Sequence, residues 1–133
     1  MKPIGYWLNR TDRAITTAMN QALTSAGITR TGWQILNVAG LADCTTDHVL
    51  DVLAANADRY TLLGTIGDLL ADGLLYRPGP NLLARTPSGE DLFARADALI
   101  AGFRERSLTG ISIEEYQTAV RVLERMTANL ETS

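Results

Sequence analysis

With 133 residues, 46% of them hydrophobic and four of them proline, the chain is sized for one domain with a real buried core. No apolar run nears the roughly 18 residues of a membrane span. The first residues lack the charged, apolar and small-residue order of a secretory leader, so a cytoplasmic protein outside the membrane is expected. The net charge of −3 is uneven, with +3 over residues 1–42, −5 over residues 43–76 and −1 over residues 77–133.

A single cysteine, Cys44, excludes an internal disulfide, and with His48 as the one histidine there is no cluster to hold a metal. No basic residue adjoins Cys44 in sequence, so it reads as a buried thiol rather than a redox sensor. An enzyme is not expected, and neither is a cofactor. No nucleophile has a recognisable base nearby, no glycine-rich phosphate loop occurs, and the acid pairs Glu90-Asp91 and Glu114-Glu115 fall in first helical turns, where the helix dipole accounts for them.

In chain order, Pro3 suits a first helical turn, and Ile4, Leu8, Ile15, Met19, Ala22 and Leu23 recur at helical spacing. This first helix is expected to run to about Ser25 and to stop at Gly27. Thr31-Gly32-Trp33-Gln34 has the form of a capping box, with Thr31 at the cap, and opens a second helix that Gly40 ends. Thr45-Thr46-Asp47 caps a short third helix carrying Val49, Leu50, Val52 and Leu53. Residues 55–57 turn the chain into a fourth, which Asp58 opens and Gly73 closes, with Leu62, Leu63, Ile66, Leu69 and Leu70 on its apolar positions. The third and fourth helices together form a helix-turn-helix.

Leu74-Leu75-Tyr76-Arg77 then reads as a strand, Pro78-Gly79-Pro80-Asn81 as a turn, and residues 82–85 as a return strand. Helix, strand, turn and strand in this order make a winged-helix unit. Beyond it, a cap near Ser88 opens a helix with a seam of Leu92, Ala96, Leu99 and Phe103. A capping box at Ser112-Ile113-Glu114-Glu115 opens a last helix with Ile113, Tyr116, Val120, Leu123 and Leu130 on its seam.

The stretch DRYTLLGTIGDLLADGLLYR, residues 58–77, aligns without a gap on the segment DRSTVTRLVDRLEKKGLVxR typical of the MarR (multiple-antibiotic-resistance regulator) family, which it resembles. Arg85-Thr86-Pro87-Ser88-Gly89 is similar to the family's next landmark, LTxxG. ALTSAGITRTGWQILNVAG resembles its first helix end and second helix, and LTGISIEEYQTAVRVLERMTANL its closing helix. The resemblance implies one mostly α domain over residues 1–133 with a small β-wing. The winged helix-turn-helix would take up about residues 31–87, and long dimerisation helices residues 3–26 and 88–131. The first, fifth and sixth helices of a homodimer would interlock, and three such long amphipathic seams are more than a compact monomer of this size readily buries.

The resemblance also implies double-stranded DNA as partner. A recognition helix turns its N-terminal residues toward the bases, which singles out Arg59, Tyr60, Thr61, Leu63 and Gly64. Arg77 and Arg85, at the strand bases, are placed to meet phosphates. The chain departs from the family pattern here. Gly64 and Asp68 stand where arginine is frequent, Ala71 and Asp72 stand where two lysines are frequent, and the Asp-x-Arg of the wing is replaced by PGPNLLAR. Ligand sensing is the family's second activity; Trp7, Arg10 and Trp33 offer flat walls and a guanidinium for a small aromatic acid. Two functions stay open: a dimeric, ligand-responsive DNA-binding repressor, or a dimer of this fold that has lost strong DNA binding and acts through a small molecule or protein partner.

Overall fold

The computed structural model describes residues 1–40 and 44–132. They fall into two compact units, Met1–Phe103 and Arg104–Ser133. Asp43, counted above in the acidic segment, lies outside the described residues. Among those residues the order is α1 (Ile4–Ala26), α2 (Arg30–Ala39), α3 (Thr46–Val52), α4 (Arg59–Ala71), β1 (Leu75–Tyr76), β2 (Ala84–Arg85), α5 (Pro87–Ser107) and α6 (Ile113–Glu131). The chain is thus mostly helical with a small antiparallel wing, and no described helix is long and apolar enough to cross a membrane.

Helix boundaries follow hydrogen-bonding side chains. Pro3, extended, precedes α1, and Gly27 ends it in the left-handed region, its N–H donating to the carbonyls of Leu23 and Thr24. The cap of α2 is Thr29 rather than Thr31. Gly27 leads straight into the buried Ile28, so Thr29 is the first hydroxyl on extended backbone, and its Oγ1 accepts from the Gly32 N–H at 3.1 Å. Thr45 caps α3 and Asp58 caps α4, as the sequence suggests, with Asp58 Oδ1 accepting from the Thr61 N–H at 2.7 Å.

The start of α5 is set by Thr86 rather than Ser88. Its hydroxyl accepts from the Gly89 N–H at 3.0 Å and donates to the Gly73 carbonyl at 2.6 Å, while Pro87 takes the first helical position, where no N–H is needed. A Cβ on Gly89 would collide with the Leu74 carbonyl, so the end of α4, the first strand and the start of α5 meet at a point only glycine fits.

The strands are shorter than their apolar runs suggest, pairing Leu75 with Arg85 and Tyr76 with Ala84. A third segment supports them. Thr45 bridges Leu82, the Leu83 N–H donates to the Cys44 carbonyl at 2.9 Å, and the Thr46 N–H donates to the Asn81 carbonyl at 2.8 Å. The wing is therefore tied to the entrance of α3.

The core of the first unit gathers Leu23 from α1, Ile35 and Leu36 from α2, Val49 from α3, Leu62 and Ile66 from α4, Leu75 and Leu83 from the wing, and Ile100 from α5. On α5 the buried line is Leu92, Ala96, Ile100 and Phe103; Leu99, placed on the seam by spacing, is exposed. In the second unit, α6 opens with the full Ser112–Glu115 capping box and has no buried residue.

Candidate nucleic-acid interface

Helix α4 is two-faced. Leu62, Ile66 and Leu69 anchor one side in the core. The other side presents Arg59, Tyr60, Thr61, Leu63 and Gly64, all exposed, with Tyr60 89% and Leu63 41% accessible. These five sequence candidates thus share the N-terminal half of one solvent-facing helix surface. The Asp58 carboxylate holds the end of that helix, and the bond from the Thr61 backbone N–H, more than any other influence, keeps its pKa below the usual aspartate value.

Two glycines, Gly64 and Gly67, stand on the same face. A Cβ at either would meet nothing within 4 Å. Internal packing therefore does not call for them, although each costs about 1 kcal/mol of helix stability relative to alanine. What they leave is a stretch of helix surface with almost no side chain, on which another molecule can approach the backbone closely. Asp68 further along α4 and Asp72 at its C-terminal cap are also exposed.

The two wing arginines are already engaged. Arg77 Nη1 donates to Thr46 Oγ1 at 3.1 Å and to the Leu82 carbonyl at 3.4 Å, bracing the wing against α3. Its side chain remains exposed and keeps donors to spare. Arg85 turns inward instead. Its guanidinium packs against Gly40, lies 4.4 Å over the Phe93 ring and has a buried Nε without a hydrogen-bond partner. Phe93 in turn stacks on Trp33, with centroids 6.2 Å apart and planes 9° apart.

The residues expected to hold an aromatic acid do not converge among the described contacts. Trp7, 52% exposed, packs edge-on against Tyr6, and Arg10 donates to the Tyr6 hydroxyl at 2.9 Å. Trp33 stands with Phe93 and Arg85. Phe93 carries no mark in the sequence beyond lying one residue past Leu92 on α5, so only the fold reveals this cluster. Cys44 is buried, and that burial pushes its thiol pKa up.

No family model matches the chain, and no curated protein does. Solved structures do. A transcriptional regulator, PA3341, is 26% identical with a TM-score of 0.69, the match covering 98% of this chain and all of that one. A MarR-family transcriptional regulator from Rhodococcus sp. RHA1 is 23% identical, with a TM-score of 0.71 and coverage of 92% and 91%. The Mycobacterium tuberculosis MarR-family protein Rv2887, in a complex with DNA, is 20% identical with a TM-score of 0.73 over 95% and 98%; the same protein is also known in complex with salicylic acid. The fold of this chain is that of the MarR-family winged-helix transcriptional regulators.

Proposed function

We propose that the protein is a homodimeric, ligand-responsive transcriptional repressor that reads double-stranded DNA through α4. The observation that carries this reading is the N-terminal face of α4, where Arg59, Tyr60 and Thr61 are exposed. Arg59 offers the bidentate fork that suits guanine, Thr61 a hydroxyl and a methyl, and Gly64 and Gly67 allow the helix axis to come close to the groove floor. The similarity in fold to a MarR-family protein in complex with DNA supports the same use of this surface.

Self-association is supported by apolar side chains that neither unit buries. In the first unit Ile4, Trp7, Leu8 and Ile15 are exposed on α1; in the second, Ile113, Tyr116, Val120 and Leu123 are exposed on α6. Contiguous apolar surface of this kind is characteristic of an interface, and a second copy of the chain supplies a matching one. Ligand response is supported by a neighbour of this fold in complex with salicylic acid. Selection from random duplex DNA should enrich a two-fold-related pair of half-sites. Absence of enrichment at low salt would remove the DNA-binding reading.

One feature favours the second reading, a dimer acting through a small molecule or protein. With Arg85 turned inward and Arg77 partly engaged, Arg59 is the cation left fully available on α4, on a surface that also carries Asp68 and Asp72. The DNA reading therefore requires a modest electrostatic contribution to affinity and a correspondingly large share from contacts made by α4 to the bases.

A further inference from the structure

We propose that Leu63 is a specificity-determining residue of α4 that reads the C5-methyl group of a thymine in the major groove. The inference rests on the DNA reading above and names what this surface recognises. In unmodified DNA the thymine methyl is the apolar group that a base presents in the major groove, and an aliphatic side chain meets it by contact alone.

The chemistry left open on the N-terminal half of α4 points there. The Thr65 hydroxyl donates to the Thr61 carbonyl at 2.9 Å. The Asp58 carboxylate takes the Thr61 backbone N–H first and the Thr61 hydroxyl second, and both hold its pKa low. What this half of the helix offers a base edge is therefore the Arg59 guanidinium, the Tyr60 side chain and the aliphatic groups of Thr61 and Leu63.

Leu63 is the purely apolar reach in this set. It is 41% exposed, while Leu62, Ile66 and Leu69 close the core without it. A single exposed leucine is ordinary on a protein surface, and it is the surroundings of this one that matter. Residues three and four apart share a helix surface, so its exposed neighbours are Arg59 and Tyr60 toward the N-terminus and Gly67 toward the C-terminus. A Cβ built on Gly67, or on the adjoining Gly64, meets nothing within 4 Å. On that side Leu63 rises from bare helix, with no polar side chain at either glycine to reach the same base edge. Arg59 lies four residues before it, a rise of about 6 Å along the helix. Stacked bases advance about 3.4 Å each, so a guanine met by Arg59 and a thymine met by Leu63 should fall within about two base steps of each other.

The test uses the native protein and the duplex it selects, with each thymine replaced in turn by deoxyuridine, which removes the methyl and keeps the base-pairing edge. Affinity is read by fluorescence anisotropy at fixed salt. One thymine per half-site, close to the guanine of Arg59, should lose about fourfold on replacement, the worth of one buried methyl group. Leu63→Ala should bind the thymine and uracil duplexes alike, whereas Leu63→Met, which keeps an apolar reach, should still separate them. Thr61→Ser, which loses a methyl and keeps the hydroxyl at Asp58, should leave that separation unchanged. A selected duplex that loses nothing at any uracil, or a loss that survives Leu63→Ala, would overturn the proposal and leave the DNA reading standing. Failure to select any duplex would remove both.

Discussion

Helices α5 and α6 carry apolar seams of the same kind, yet one is buried and the other is not. On α5, Leu92, Ala96, Ile100 and Phe103 close the core of the first unit. On α6, Tyr116, Val120 and Leu123 are exposed along a helix with no buried residue. Helical spacing identifies which side chains share a face, and burial depends on what that face meets. A seam left open by its own chain is apolar surface on which another molecule can pack. The same division runs within α1, whose C-terminal Leu23 and Ala26 are buried while Ile4, Trp7, Leu8 and Ile15 are exposed.

The largest effect expected from breaking this contrast is on the buried seam. Ile100→Ala empties a fully buried site and should cost about 2–5 kcal/mol, read as a lower midpoint in urea. On the open seam, Leu123→Asp places a carboxylate in the apolar surface proposed to meet a second copy. It should leave helicity intact and convert the dimer to monomer in sedimentation at micromolar concentration; native protein that is already monomeric there would remove the dimer from the account.

Smaller changes sharpen the reading of α4. Because a Cβ at position 67 meets nothing, Gly67→Ala should stabilise the fold by about 0.5–1 kcal/mol while weakening DNA binding. Gain in both would show that the bare helix surface is not a point of approach. The smallest effect concerns pH. The Asp58 pKa is lowered by the bond from the Thr61 N–H, so its contribution is complete above the ordinary aspartate value and is lost as pH falls through the lowered native one. Asp58→Asn should flatten that acid limb of the stability profile, measured by thermal melts across acidic pH, and leave neutral stability nearly unchanged.

Much of the frame is legible in the sequence because it is written in local chemistry. The caps at Thr45, Asp58 and Ser112 and the stops at Gly27 and Gly73 are each set by one hydroxyl, carboxylate or glycine acting within a few residues. Two caps are displaced, to Thr29 and Thr86, because neighbouring hydroxyls compete and tertiary contacts choose between them: the burial of Ile28 in one case and the Gly73 carbonyl in the other. Exposure of residues 59–61 and 64 follows from the position of the apolar residues on α4 and is equally legible; Leu63, counted among those apolar positions, instead faces solvent because the core takes only Leu62, Ile66 and Leu69 from this helix. The inward turn of Arg85 is not legible. It depends on Gly40 being bare and on Phe93 lying beneath the strand, which brings residues 40, 85 and 93 together by long-range folding. The expectation drawn from the family resemblance left Arg85 as a phosphate contact and grouped Trp33 with Trp7 and Arg10 of α1.

The central claim, that α4 reads DNA with Arg59 as its charged base contact, is tested most directly by fluorescence anisotropy on a selected duplex across a salt series, comparing the native protein with Arg59→Ala. Three cations per subunit at the DNA, Arg59, Arg77 and Arg85, would together neutralise roughly six phosphates in a dimer and give a slope of log affinity against log salt of about −5. With Arg85 withdrawn, about two contacts per subunit remain, and the expected slope is roughly −4. Arg59→Ala should cost about 1–3 kcal/mol on the selected sequence and little on unrelated DNA, so that discrimination falls. Binding no tighter than micromolar at low salt, or affinity and discrimination unaltered by removal of Arg59, would contradict the account.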